Sequence, residues 1–396
     1  MQTQPSMKSL LDWLQPRATP MARLLGNFVR AESPSFDKAA VDRFGHIVAA
    51  EWKRRGASVT ALRQKQRGDH IRAEWHPGGK RTKGQILVLG HLDTVFGRAP
   101  SRARTPYASG TIAQIPFRVS RGRAWGPGTF DMKGGLVIAL YAVDALAAAG
   151  FKPGKSIVFL WTSDEEIGSG SSRKIIEREA RRSNAVLVLE PALGPDGRVK
   201  TSRKGVGEFE IVATGRAAHA GLNPEDGINA IEEIALQIAR ISRWNQPRRG
   251  ITVNAGVIEG GTRTNVIPEH ARVLVDLRAS RPADMRALER QFRSLRPILP
   301  GAALQVRGGV TRPPMERKMS AALYAKARAL ANKMGVTLSE AHVGGGSDGN
   351  FTAALGVPTL DGLGAVGEGA HSPDENIVIG KLPERAALLA CLLTTL

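Results

Sequence analysis

Two histidines and a set of carboxylates stand just past apolar runs of this 396-residue chain. His91 and Asp93 follow QILVLG in HLDTVF, and Asp131 lies in WGPGTFDMKGG. Asp164, Glu165 and Glu166 follow SIVFLW in TSDEEIGS, Glu190 closes AVLVLE, and His371 lies in GAHSPDEN. Three adjacent acids beside a buried run repel one another and lose water. A basic side chain, bulk water or a metal must answer them. Taken singly, each residue has a structural reading: His91 a satisfied histidine, Asp131 a helix N-cap, the others solvated loop residues. Taken together they offer two imidazoles and several carboxylates. The single cysteine, Cys391, excludes an internal disulfide and any Cys-based cluster. Mixed N/O donors suit Zn²⁺, with Co²⁺ or Mn²⁺ as substitutes. Residues i and i+2 of an extended chain share a face, so Asp93 can accept the spare N–H of His91.

These residues need a scaffold that delivers them to one place. QILVLG, SIVFLW and AVLVLE read as buried strands, and apolar or amphipathic helices alternate with them (LVIALYAVDALAAAG, SRKIIEREARR). That pattern predicts an α/β fold, a mainly parallel mixed sheet with helices on both faces. Ligands of such sheets sit beyond the carboxyl ends of the strands, where His91, Glu165 and Glu190 fall. Upstream, Met21 to Arg54 reads as two helices separated by ESPSFD, with Ser35 as the expected N-cap. After about Lys204 the pattern becomes β-α-β-β-α-β, a ferredoxin-like α+β insertion. The expected domains are 1–204 with 315–396, and 205–314.

The formal net charge is +20, but Lys and Arg are dispersed and aromatics are only 5% of residues. That composition speaks against single-stranded nucleic acid, which needs stacking surfaces, and suits small acidic substrates. A non-catalytic polyanion binder is the alternative the charge raises; it predicts missing ligands. No apolar run is long enough for a bilayer, and the N-terminal stretch lacks a secretory h-region. The expectation is a cytoplasmic protein with neither nucleic-acid nor membrane partners.

The motifs HLDTVF, WGPGTFDMKGG, SDEEIGS, LEP, AAHAG, TNVIP, GGGSDG and HSPDEN resemble those of the di-zinc aminoacylase/carboxypeptidase family. The resemblance is closest to folate-cleaving glutamate carboxypeptidases of the carboxypeptidase G type and covers nearly the whole chain. It implies two Zn²⁺ per chain bridged by Asp131, one completed by His91 and Glu190, the other by Glu166 and His371. It implies a general base, Glu165, and an orienting residue, Asp93. A cis peptide is implied after Asp131. The insertion becomes a lid that also forms a homodimer, with His219 of RAAHAG stabilising the oxyanion. Asn265 and Arg278 are implied contacts for the substrate carboxylate. Lys204 and Arg312 fall where glutamate-preferring relatives hold a side-chain carboxylate, and a plain surface role is equally open to them. The turn around Gly345 can offer backbone N–H groups to a carboxylate or be a plain turn. The implied reaction is hydrolysis of an amide, releasing a C-terminal amino acid, with glutamate first. An N-acyl-amino-acid deacylase is the alternative.

Overall fold

The computed structural model describes residues 6–77, 84–97, 111–333 and 335–396. Residues 98–110 of the basic segment Gly97–Arg123 lie outside the described residues. Two compact units emerge: residues 1–202, 317–342 and 347–396 form the first, and 203–316 with 343–346 the second.

The first unit is a mixed α/β unit. Its six-stranded sheet contains β1 (Ser58–Leu62), β2 (His70–Trp75), β3 (Gln85–His91), β4 (Ser156–Thr162), β5 (Ser183–Val188) and the short strand Thr359–Leu360. The order is β1-β2-β4-β3-β5 and then Thr359–Leu360. β3 runs parallel to β4 and β5, and Thr359–Leu360 parallel to β5. β2 is antiparallel to both β1 and β4. β3 and β4 are buried along their whole length, because both faces of the sheet are covered. Ile86 and Val88 join a core with Val137 and Leu140 of the helix Gly134–Ala148 and Leu389 of Lys381–Thr395. Leu87 and Leu89, on the other face, join Ile176 and Ala180 of the helix Arg173–Arg181 and Phe351. A fully buried side chain of this size contributes roughly 1.5–3 kcal/mol. Trp52, Phe159 and Trp161 stack within the first core, with the Trp52 and Phe159 centroids 4.1 Å apart.

The site-bearing loops leave this sheet close to where the sequence places them. β3 extends one residue further than QILVLG, so His91 is its last residue. β5 stops at Val188, two residues short of Glu190. The expected cap is different: Asp37, not Ser35, accepts the Ala40 N–H at the start of Lys38–Arg54. Ser35 is drawn away by a stronger acceptor, the Asp93 carboxylate, at 2.7 Å.

The second unit has a four-stranded antiparallel sheet of β6 (Gly205–Thr214), β7 (Thr252–Gly260), β8 (His270–Ala279) and β9 (Ala303–Arg312), in the order β7-β8-β6-β9. β8 alternates buried and exposed residues, as a sheet with one covered face requires. The covered face packs Phe209, Ile211, Val273 and Val275 against Ile234 and Phe292 of the helices Ala230–Ser242 and Pro282–Arg293. Among the described residues, no helix is long and apolar enough to cross a membrane.

Candidate metal centre

His91 is almost fully buried at the end of β3. Its Nδ1 lies 2.9 Å from the main-chain carbonyl of Asp93, while the Asp93 carboxylate is 3.5 Å away. The carbonyl therefore fixes the Nδ1–H tautomer and leaves Nε2 as a donor atom for a ligand. The carboxylate of Asp93, expected to serve His91, is engaged mainly elsewhere. It accepts the N–H groups of Glu165 and Glu166 at 3.2 and 3.3 Å, and the Ser35 hydroxyl. Asp93 thus ties the His91 segment to the loop that bears both glutamates.

Asp131 lies between the two histidines. Its Oδ1 is 3.2 Å from Nε2 of His91, and its Oδ2 is 3.4 Å from Nε2 of His371. Glu190 approaches His91 Nε2 at 3.5 Å, and Glu166 approaches His371 Nε2 at 3.3 Å. The five residues form two sets, His91 with Glu190 and His371 with Glu166, sharing one carboxylate. The ligand atoms of His91, Asp131 and Glu166 lie within 4.8 Å of one another, as do those of His91, Glu165 and Glu190. The second of these groupings brings Glu165 within ligand reach too, so geometry alone does not divide its role from that of Glu190.

The local sequence explains these placements. The peptide joining Asp131 and Met132 is cis. Glu375, of the HSPDEN motif, is buried and accepts three N–H groups, from Gly128, Phe130 and Asp131, at 2.7–2.9 Å. That grip holds the backbone of the shared ligand. Gly135 allows close packing just beyond it: a Cβ there would lie 2.4 Å from the Leu189 carbonyl. Lys133 is buried, and its ammonium donates to the carbonyls of Phe28 and Ala31 at the end of the helix Ala18–Arg30. His371 adopts a left-handed backbone, φ 64°, uncommon for a residue with a side chain. Asp164 accepts the N–H and hydroxyl of Ser171 at 2.6 and 2.7 Å, so it is the member of the acidic triplet that braces the loop.

The charge balance asks for cations. Burial and the Asp131 charge push Glu166 up to about 7. Hydrogen bonds to Asp131 and Glu166 push His371 up to about 11 against the effect of burial. Burial works to lower His91, but Asp131, Asp93 and Glu190 outweigh it and hold it well above its ordinary value. Burial also acts to raise Asp131, yet His371 and His91 together hold its carboxyl well below the usual range. The acids that raise both imidazoles are the ones that dications would satisfy. Oε1 of Glu166 is buried and has no hydrogen-bond partner among the described residues. An orphaned carboxylate oxygen aimed into a set of N/O donors fits divalent metal, and Zn²⁺ in particular.

Residues 87–395 match peptidase family M20/M25/M40. The chain belongs to that family. It is 31% identical over 383 residues to carboxypeptidase G2 of Pseudomonas sp. (strain RS-16), covering 94% of this chain and 88% of that protein. It is 28% identical over 320 residues to succinyl-diaminopimelate desuccinylase of Dechloromonas aromatica, covering 76% and 81%. Its fold is similar to that of aminopeptidase PepT from Bacillus cereus, TM-score 0.74 at 23% identity, covering 95% and 98% of the two chains. The M20 chain is therefore a metal-dependent hydrolase of the metallopeptidase and amidohydrolase type.

Beside Asp131 the first unit contains a cavity of about 430 Å³, lined by Phe130, Pro191, Leu193, Val366 and Lys200 among others. That volume lies within the ~300–1,000 Å³ range of sites for sizeable small molecules.

The remaining predicted residues belong to the second unit. His219 and Asn265 meet in one small ladder: Ala218–His219 pairs with Val266–Ile267, and the Asn265 carbonyl accepts the Ala220 N–H. His219 is exposed, and its Nδ1 accepts the N–H groups of Gly221 and Leu222, both at 3.1 Å. Its remaining proton therefore sits on Nε2, which points to a donor role. Arg278 and Arg312 flank Val206 on neighbouring strands. Arg278 holds Asp276 at 2.9–3.1 Å and the Gly344 carbonyl at 3.3 Å. Lys204 is half-buried, and its N–H donates to the Val343 carbonyl. The turn around Gly345 turns carbonyls toward the cations: Gly345 and Gly346 accept from Arg203 at 3.1 and 3.2 Å. Gly346 is small for a reason, since a Cβ would lie 3.0 Å from Arg312 Cδ.

Proposed function

We propose that this enzyme hydrolyses an amide bond to the amino group of a C-terminal amino acid, glutamate first, using two Zn²⁺ ions. The observation that carries the reading is Asp131, whose two carboxylate oxygens each face a different histidine. His91 with Glu190, and His371 with Glu166, would hold one ion each and share Asp131. Two such ions, when bound, supply Lewis-acid polarisation and activate water at neutral pH.

Glu165 takes the proton of the attacking water and passes it to the departing amine nitrogen. The Nε2–H of His219 donates to the oxyanion as it develops. The Arg278 guanidinium, with its planar fork, and Asn265 hold the substrate carboxylate. Lys204, Arg312 and the turn at Gly345 serve a second carboxylate, the feature that would favour glutamate. Binding the substrate carboxylate requires the guanidinium of Arg278 to be shared between it and Asp276.

A homodimer through the second unit accompanies this reading. β7 is an edge strand, and it exposes Val257 and Ile258, an apolar edge suited to a second copy. The 430 Å³ cavity favours a bulky acyl group over acetyl. The relative named as a desuccinylase keeps N-acyl amino acids as the rival substrate class.

The deciding experiment loads the protein with Zn²⁺ or Co²⁺ and offers folyl-glutamate, benzoyl-glutamate and a panel of N-acetyl amino acids. Cleavage of the glutamate amides with kcat/KM at least tenfold above the acetyl panel is expected. Preference for the acetyl panel moves the enzyme to the deacylases, and no cleavage of either class removes the substrate assignment.

A further inference from the structure

His70 is the first residue of β2 and is completely buried, yet it is neither a candidate ligand nor a substrate contact. Both of its ring nitrogens are engaged by the loop that carries Glu165 and Glu166. Nδ1 accepts the main-chain N–H of Ser163 at 3.1 Å. An N–H donor can approach only an unprotonated nitrogen, so Nδ1 carries no proton. The proton is on Nε2, which faces the Ser171 hydroxyl at 3.3 Å. Ser171 in turn donates its hydroxyl to Asp164 at 2.7 Å. Ser163 also approaches Nδ1 through its hydroxyl at 2.9 Å and donates that hydroxyl to the Gly68 carbonyl.

These contacts join the two ends of one loop. Ser163 stands immediately after β4, and Ser171 lies two residues before the helix Arg173–Arg181. Glu165 and Glu166 lie between them. Asp164 is bridged to both ends, to Ser163 through the chain and to Ser171 through its carboxylate. The imidazole therefore closes a ring of hydrogen bonds behind the acidic pair. Burial lowers its basicity against the charges of Asp164, Asp93 and Asp69, which agrees with the neutral tautomer that the donors require.

We infer that His70 is a positioning residue: its neutral imidazole clasps the loop 163–171 and sets where the Glu165 and Glu166 carboxylates stand. The inference rests on the reading of Glu165 as base and Glu166 as metal ligand. Partners of metal ligands at one remove commonly change metal affinity or activity by about 10–100-fold. A leucine at this position fills much of the space and provides no acceptor for Ser163. An asparagine presents its amide oxygen close to where Nδ1 lies, so it restores the Ser163 bond. A glutamine reaches the Nε2 position and leaves Ser163 unserved.

The test compares His70→Leu, His70→Asn and His70→Gln with the wild-type full chain. Each variant is titrated with Co²⁺ alone, followed by visible absorption, and then assayed with benzoyl-glutamate. His70→Leu and His70→Gln should weaken one of the two Co²⁺ steps by about 10–100-fold. They should lower kcat by a similar factor while KM stays within about threefold, since the substrate contacts are untouched. His70→Asn should return both readouts to within about threefold of wild type, which a purely space-filling role would not do. If His70→Leu fails to fold, the Asn and Gln pair still decides. A folded His70→Leu or His70→Gln with a wild-type Co²⁺ titration overturns the clasp, and so does an asparagine variant as impaired as the glutamine one. Failure of the underlying reading looks different: Glu165→Ala and Glu166→Ala would then leave both turnover and Co²⁺ binding intact.

Discussion

The two units contrast in part of their candidate sets, although His371 of the first is exposed and Arg312 of the second is buried. In the first, His91, Asp93 and Glu190 are buried, and their neighbours hold them from several sides. Asp93 alone accepts two main-chain N–H groups and a hydroxyl, and Glu375 accepts three N–H groups behind Asp131. In the second, His219 and Asn265 are exposed and sit on a two-residue ladder. Arg278 leans on Asp276 of its own strand. The buried set is preorganised for an ion that must be held in fixed geometry. The exposed set stays open to a ligand that arrives and leaves. Substitutions of the candidate ligands in the first unit should therefore strike metal and turnover together, and those in the second should spare the metal.

The largest effect should come from the residue on which both halves of the centre depend. Asp131→Ala should cut kcat by more than the ~10²–10⁴-fold that loss of an acid–base group costs. It should also bring metal content, read by elemental analysis, from two ions per chain to one or none. A variant that keeps two ions would break the shared-carboxylate arrangement. Glu165→Ala comes next. It should lower kcat by about 10²–10⁴-fold with metal content unchanged. Loss of metal with the fold intact would make Glu165 a ligand, as its closeness to His91 and Glu190 allows.

The second unit supplies the counterpart. His219→Ala should lower kcat by about 10²–10³-fold, as removal of an oxyanion donor does, and leave the metal titration unchanged. Arg278→Ala should act mainly on KM for benzoyl-glutamate. A hydrogen bond to a charged group is worth roughly 1.5–3 kcal/mol, or a rise of about 10–100-fold. If either variant sheds metal, the division of labour between the units is wrong.

How far the sequence carried this picture follows the same division. The candidate metal ligands were legible because each stands within two residues of the end of a buried strand or inside a short Gly-rich or acidic motif. Strand burial and helical spacing gave the α/β character and the change of pattern near Lys204. What stayed hidden were partners distant in the chain. Ser35 reads locally as a helix cap, but its acceptor is Asp93, 58 residues away. Glu375 reads as one acid of HSPDEN, but it grips Gly128 across 247 residues. His70 carried no signal, since a polar residue at the start of a strand is ordinary until Ser163 and Ser171 are brought to it. In the GGGSDGN turn the carbonyls of Gly344, Gly345 and Gly346 face Arg278 and Arg203. A main-chain direction of that kind has no trace in residue type.

The smallest effect is graded and comes from protons. In the metal-free protein, hydrogen bonds to Asp131 and Glu166 raise His371 to about 11, and His91 also lies well above its ordinary value. A metal needs the unprotonated imidazole, so each ion must displace a proton. Between pH 6 and 8 the His371 imidazole holds its proton, and apparent affinity should rise by about tenfold per pH unit for that proton released. Burial and the Asp131 charge put Glu166 up to about 7, which steepens the lower part of this range. The metal-free fold should follow the opposite course. A histidine whose folded value exceeds its unfolded value of about 6.5 contributes stability that is complete below 6.5 and is lost as pH rises through the folded value. Thermal midpoints of the metal-free protein should therefore fall from pH 6.5 toward pH 10, while Co²⁺ affinity climbs over the same direction of change. In the second unit, where His219 already keeps Nδ1 free of a proton to accept two N–H groups, His219→Gln should leave both pH trends as they are. Flat Co²⁺ affinity between pH 6 and 8 would mean that the imidazoles are already neutral, and that the carboxylates around them do not demand positive charge as strongly as their spacing implies.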